Sequence, residues 1–231
     1  VYTLTDGGDT LTLTTDALRL TVDAAGLTDF YTAAGKPVSL AWRGERGVVE
    51  RGMSNKAGNV LEKEGHRNHG MQDRLPMEEL RALLPDDAVY GLGDKPTVLN
   101  KRSYAYENWN SDIPDPHEEC FKSLYKDFPV FFVSSAAAER TYGIFFDNTF
   151  HTYFDFGLES PDYLSFGAKE GALNYYFFAG PTLREAVSRY TWLTGRAPLP
   201  QRWALGYQQC RWGYASAGEF RALARKFQEL D

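Results

Sequence analysis

Short runs of alternating apolar residues, each closed by a turn, recur along most of this 231-residue chain and commit it to antiparallel β structure. Leu11 and Leu13, then Leu18, Leu20 and Val22, are punctuated by Asp6-Gly7-Gly8-Asp9 and by Ala25-Gly26. The same pattern returns over 128–134, 142–147, 152–156, 163–166 and 174–179, where aromatic and β-branched residues dominate. Many short strands with turns between them predict a mainly β protein built on a two-sheet sandwich. A domain of this length buries roughly 70% of its unfolded surface, so neither disulfides nor metals are required to hold it.

The pattern changes towards the C-terminus. Thr182 with Glu185, and Ser216 with Glu219, match the capping box that satisfies free N–H groups at a helix start. Leu183, Val187, Tyr190 and Leu193 share one face of the first predicted helix, with Gly195 as its stop, and Phe220, Leu223, Phe227 and Leu230 share one face of the second. Pro198-Leu199-Pro200 between them is a stiff extended connector, because each ring fixes φ and disfavours helix in the residue before it. A boundary is expected there, with a sandwich domain over 1–197 and a second piece over 198–231. In that piece 203–208 reads as a strand and 216–230 as the helix after it. One strand and one helix form the opening unit of a repeating α/β architecture, which needs partners to bury its apolar surface. The chain is therefore expected to be the front part of something larger. Segment 51–87 is unassigned, with 76–84 readable as a short helix or a strand.

A net charge of -6, spread over interspersed acidic residues, argues against nucleic acid as a partner. Cys120 and Cys210 are too few and too scattered for a disulfide framework or a zinc site, which favours a reducing cytoplasm. No run approaches the ~20 apolar residues of a membrane span.

Tyr90-Gly91-Leu92-Gly93-Asp94-Lys95 has the parts of an anion cradle, but it lacks the Gly-Lys-Ser/Thr ending and a following helix, so a tight turn with close backbone approach is the better reading. His66 and His69, and the group His117, Glu118, Glu119 and Cys120, contain metal-ligating side chains without a complete ligand set, and no metal or cofactor is expected. Asp112, Asp115, Glu118 and Glu119 crowd one segment. Nothing there would hold two carboxyls at the ~5.5 Å a retaining glycosidase needs or split their pKa values, so no catalytic pair is expected in this chain. Trp109 lies in 106–116, whose Asn, Asp and Pro content marks a long loop. An exposed Trp with a nearby Asp suits sugar binding, and an Asx-turn capped by Asp112 is the structural alternative.

Four blocks together resemble the N-terminal part of glycoside hydrolase family 31, most like its bacterial α-glucosidases. They are Tyr90-Gly91-Leu92-Gly93-Asp94-Lys95; Trp109-Asn110-Ser111-Asp112 with Leu124-Tyr125-Lys126; Tyr142-Gly143-Ile144-Phe145-Phe146-Asp147-Asn148; and Gly195-Arg196-Ala197-Pro198-Leu199-Pro200-Gln201-Arg202-Trp203-Ala204-Leu205-Gly206-Tyr207. The resemblance implies a galactose mutarotase-like β-sandwich followed by the first strand and helix of a truncated TIM barrel. It implies that Asp112, with Trp109 beside it, binds sugar hydroxyls at the barrel mouth. It also implies retaining hydrolysis of α-linked glucose by two aspartates beyond Asp231, so that this piece alone is inactive. Asp94 stands where Glu is more usual in the family. The expected partners are an α-glucoside oligosaccharide and the remainder of the barrel, with a second copy of the chain as a further candidate. A free-standing carbohydrate-binding sandwich without catalysis is the competing function.

Overall fold

Asp6 closes the first hairpin by accepting the Gly8 N–H on Oδ1 at 2.9 Å, while Gly8 takes a φ of +86° that residues with a side chain avoid. This turn joins β1 (Thr3–Asp6) to β2 (Thr10–Thr14). Asp23 does the same between β3 (Leu18–Asp23) and β4 (Thr28–Thr32), accepting the N–H groups of Ala25 and Leu27. With β5 (Pro37–Ser39) these strands form an antiparallel meander in the order β1-β2-β3-β4-β5. The computed structural model describes residues 1–46, 75–114, 116, 117, 121, 123–211 and 213–230.

Two four-stranded antiparallel sheets follow. One has the order β6-β12-β11-β8, from β6 (Met77–Ala82), β8 (Ala105–Asn108), β11 (Thr152–Asp155) and β12 (Tyr163–Ala168). The other has the order β13-β10-β9-β7, from β7 (Ala88–Gly93), β9 (Asp127–Ser135), β10 (Arg140–Phe146) and β13 (Tyr175–Gly180). Side-chain alternation distributes their apolar residues between two cores. Tyr142, Ile144 and Phe146 of β10, with Phe131 and Val133 of β9, face the main core. There the rings of Phe131 and Phe146 meet Phe166 edge-on at centroid distances of 5.6 and 5.3 Å, which joins the two sheets face to face. Phe30 and Val38 of the meander join the same core. Val130, Phe132 and Phe145 point the other way, under a helix.

That helix, α1 (Leu183–Thr194), starts at the predicted cap: Thr182 Oγ1 donates to Glu185 Oε2 at 2.7 Å and accepts the Glu185 N–H. Its buried face is Leu183, Ala186 and Tyr190, and not the stripe with Val187 and Leu193, which stay exposed. Gly180 of β13 is what allows close approach, since a Cβ on it would lie 3.0 Å from the Ala186 nitrogen. Segment 76–84 contains the strand β6, and 106–108, read as loop, completes β8 instead.

The chain divides into two compact units, Val1–Thr194 and Gly195–Asp231. The second contains the helix expected over 216–230, here α2 (Ala217–Leu230), with the Glu219 N–H on Ser216 Oγ and Glu219 Oε2 accepting from Ala215. The strand expected over 203–208 is not formed: Arg202–Leu205 is one short 3-10 turn. A strand leaves its N–H and C=O groups for neighbours. Among the described residues no strand lies beside this one, and local bonds take their place, with Ala204 N–H on Gln201 O and Gly206 N–H on Trp203 O.

Candidate functional site

The glycine motif sets the frame of the site. Gly91 and Gly93 lie at φ +128° and +78°, and a Cβ would run into backbone at both, at the Val130 carbonyl oxygen of β9 or at the Lys126 carbonyl oxygen just before it. Register with β9 shifts between them, a bulge that turns Leu92 wholly into the core. The segment is thus the bulged end of a strand and not the tight turn expected, although the close backbone approach is as expected. What it delivers is Lys95, whose side chain is fully buried at the start of the next loop.

Lys95 Nζ donates to Asp127 Oδ1 at 2.5 Å and to the Glu107 carbonyl at 3.0 Å. Burial holds its pKa below the ordinary lysine value, opposed by the Asp127 charge. Asp127 Oδ2 lies 2.6 Å from Ser123 Oγ, which accepts the Trp109 N–H at 2.9 Å. Ser111 donates through Oγ to the Trp109 carbonyl and through its N–H to the Leu124 carbonyl, and Asn110 Nδ2 donates to the Tyr125 carbonyl, each at 2.8 Å. Residues 109–111 and 123–125 therefore form a hydrogen-bonded neck, and the loop leaves from it. Tyr125 Oη donates to the Ile113 carbonyl at 2.5 Å and steadies the first turn of the loop.

Trp109 is the first residue beyond β8. One face of its indole stacks on His151 at 4.9 Å, and His151 stacks in turn on Tyr153 at 4.5 Å. Glu107 Oε2, 2.6 Å from His151 Nε2, fixes the middle ring, and burial with that neighbouring carboxylate raises the Tyr153 pKa. At 59% exposure the rest of the indole is open. It borders a cavity of about 450 Å³ with Phe150, Asn108, Asn110 and Thr149 on its walls. Asn108 is buried, and neither atom of its amide has a hydrogen-bond partner among the described residues.

Asp112 is exposed on the loop and makes no hydrogen bond to the other described residues. An Asx-turn needs the N–H two residues on, and Pro114 has none. The structure thus brings Trp109 and Asp112 onto one loop, three residues apart. Asp115, Glu118, Glu119, Cys120, His66 and His69 lie outside the described residues; His117 sets Nε2 3.1 Å from the Ile113 carbonyl. Among the described residues no three His, Cys, Asp or Glu side chains cluster as metal ligands, and no helix is long and apolar enough to cross a membrane. The sequence reading missed Ser123, Asp127 and His151, whose partners stand 14, 32 and 44 residues away. Only the lysine of the Gly-Leu-Gly-Asp-Lys run pointed this way.

Comparison with known proteins gives this arrangement a family. Residues 1–155 match the glycosyl hydrolase 31 N-terminal galactose mutarotase-like domain, and residues 197–231 match the family 31 TIM-barrel domain. The chain belongs to glycoside hydrolase family 31. Its mainly β architecture is that family's N-terminal sandwich, followed by the start of the barrel domain. It is 44% identical over 146 residues to alpha-glucosidase 2 of Bacillus thermoamyloliquefaciens, a match covering 63% of this chain and 18% of that protein. It is 35% identical over 139 residues to the alpha-xylosidase XylQ of Lactiplantibacillus pentosus, covering 60% and 17%. The GH31 dextranase of Flavobacterium johnsoniae, solved with glucose, superposes with a TM-score of 0.73 at 31% identity, over 99% of this chain and 25% of the dextranase. The chain thus spans under a fifth of the two curated relatives and a quarter of the dextranase chain.

Proposed function

We propose that this chain is the N-terminal, non-catalytic portion of a retaining α-glucosidase that removes terminal α-linked glucose from oligosaccharides. In this reading 1–197 is the supporting sandwich and 198–231 begins the catalytic barrel. The loop after β8 presents Trp109 and Asp112 to the substrate. The observation that carries the assignment of the loop is the pairing of an open indole face with a carboxylate that has no partner among the described residues, beyond a tightly bonded neck. An indole face takes the apolar face of a sugar ring, and a carboxylate accepts two charge-assisted bonds from adjacent hydroxyls. The higher identity to an α-glucosidase than to an α-xylosidase supports glucose as the glycone. A cytoplasmic location rests on cysteine usage, two in 231 residues.

The resemblance to family 31 assigns the nucleophile and the acid/base to two aspartates beyond residue 231. The purified chain is therefore expected to show no turnover of a chromogenic α-glucoside that the full-length protein hydrolyses. Turnover by the 231-residue chain overturns the assignment. In the full-length protein, Asp112→Ala is expected to raise KM, or to lower kcat/KM, by one to two orders of magnitude, roughly the worth of a charged hydrogen bond.

A further inference from the structure

We propose that Lys95, Asp127 and Ser123 are positioning residues that set the pose in which the loop presents Trp109 and Asp112 to a sugar, an inference that rests on the loop reading above.

The bonds run in one direction. Ser123 Oγ has two acceptors at 2.6 Å, the Trp109 carbonyl and Asp127 Oδ2; the Trp109 carbonyl also receives the Ser111 hydroxyl, so the single Ser123 proton goes to the charged acceptor, the Asp127 carboxylate. That leaves the Ser123 lone pairs to accept the Trp109 N–H. Asp127 is held on its other oxygen by Lys95, and Lys95 also grips the Glu107 carbonyl, two residues before Trp109. The backbone on both sides of Asn108 is thus tied to one ammonium–carboxylate pair whose side chains are 0% and 3% exposed. Glu107 adds a second tie through His151 to the indole face.

A buried ion pair contributes little net stability, because desolvation offsets the attraction, but its bonds are directional. Here the direction is spent on the first residue of the loop. The neck bonds at Asn110 and Ser111 hold the opposite strand, so a shift at Ser123 is transmitted to Trp109 and, three residues on, to Asp112. A displacement of about 1 Å at a substrate contact is enough to cost binding heavily.

The experiment is a kinetic comparison in the full-length enzyme with maltose as substrate. Ser123→Ala removes the link and Ser123→Thr restores a hydroxyl; Asp112→Ala reports on the loop itself. We expect Ser123→Ala to raise KM roughly tenfold with kcat within about threefold, and the threonine variant to recover most of it. Amide hydrogen exchange at Trp109 should quicken in Ser123→Ala while the thermal midpoint stays put. An unchanged KM in Ser123→Ala beside a raised KM in Asp112→Ala overturns the positioning role and leaves the loop reading standing. Unchanged KM in both removes the loop from the site and the inference with it. A lowered midpoint with kcat and KM lost together, unrescued by threonine, assigns Ser123 to folding instead.

Discussion

A methyl group added at Gly93 would meet the Lys126 carbonyl oxygen at a φ of +78°, with Phe128 close behind. Neither neighbour can give way, because Lys126 O is bonded to the Asp94 N–H and Phe128 lies in β9. Gly93→Ala is therefore expected to cost about 3 kcal/mol from backbone strain plus overpacking, read as a lower urea midpoint with an unchanged slope. Lys101 gives a pH signature nearby. Burial, then the Lys95 charge, brings its pKa from 10.5 down to about 8, while its ammonium lies 5.2 Å from the centroid of the Tyr106 ring. The folded state loses that proton near pH 8 and the unfolded state only near 10.5, so the folded state binds fewer protons in between and stability rises with pH across that window. Lys101→Met should flatten the rise, as measured by denaturation at pH 7, 8, 9 and 10.

Between elements, Arg81 of β6 is the main polar tie to the meander. Fully buried, it donates to Ser39 Oγ and carbonyl, to the Thr28 carbonyl and hydroxyl, and to Glu79. Arg81→Met strips these acceptors and leaves the Glu79 carboxylate half of a broken pair, with an expected loss of 3–5 kcal/mol, on the order of other such disruptions. Arg81→Met with Glu79→Gln should recover part of it, and a double-mutant cycle by urea denaturation measures the coupling. This tie also shows what sequence can and cannot carry. Strands β2, β3, β9, β10, β11, β12 and β13 were legible as short runs rich in apolar, aromatic and β-branched residues closed by turns. β6 was not, since Glu78, Glu79 and Arg81 obscure the period, and their partners lie elsewhere in the chain. β8 was hidden by Asn108, a poor strand former held in place by pairing with Thr152. For the site, composition pointed to Trp109 and Asp112 as local chemistry. The neck that holds them depends on partners at 123–127 that no local pattern announces.

At the scale of the whole molecule the chain holds two kinds of structure. Val1–Thr194 has a continuous aromatic core, whereas none of the described residues of Gly195–Asp231 is buried. In α2, Phe220, Phe227 and Leu230 are 58%, 46% and 71% exposed, and the ring contacts Tyr207–Phe227 and Tyr214–Phe220 cover them only in part. A 14-residue helix without a packed face is marginal, because nucleation is costly and tertiary burial is what usually offsets it. Bonds after Arg202, Arg211 and Arg221 should then open to trypsin far more readily than those after Arg81 in β6 or Arg140 in β10, where cleavage requires global unfolding. Brief digestion should yield a core ending near Arg196 whose thermal midpoint lies within about 2 °C of the parent's, since the lost segment contributes little buried area. If 198–231 begins a barrel, as proposed, the same three bonds in the full-length enzyme are backed by neighbouring strands and helices and should resist trypsin under identical conditions. Equal cleavage in both proteins would leave that segment without a cover and would remove it from the barrel.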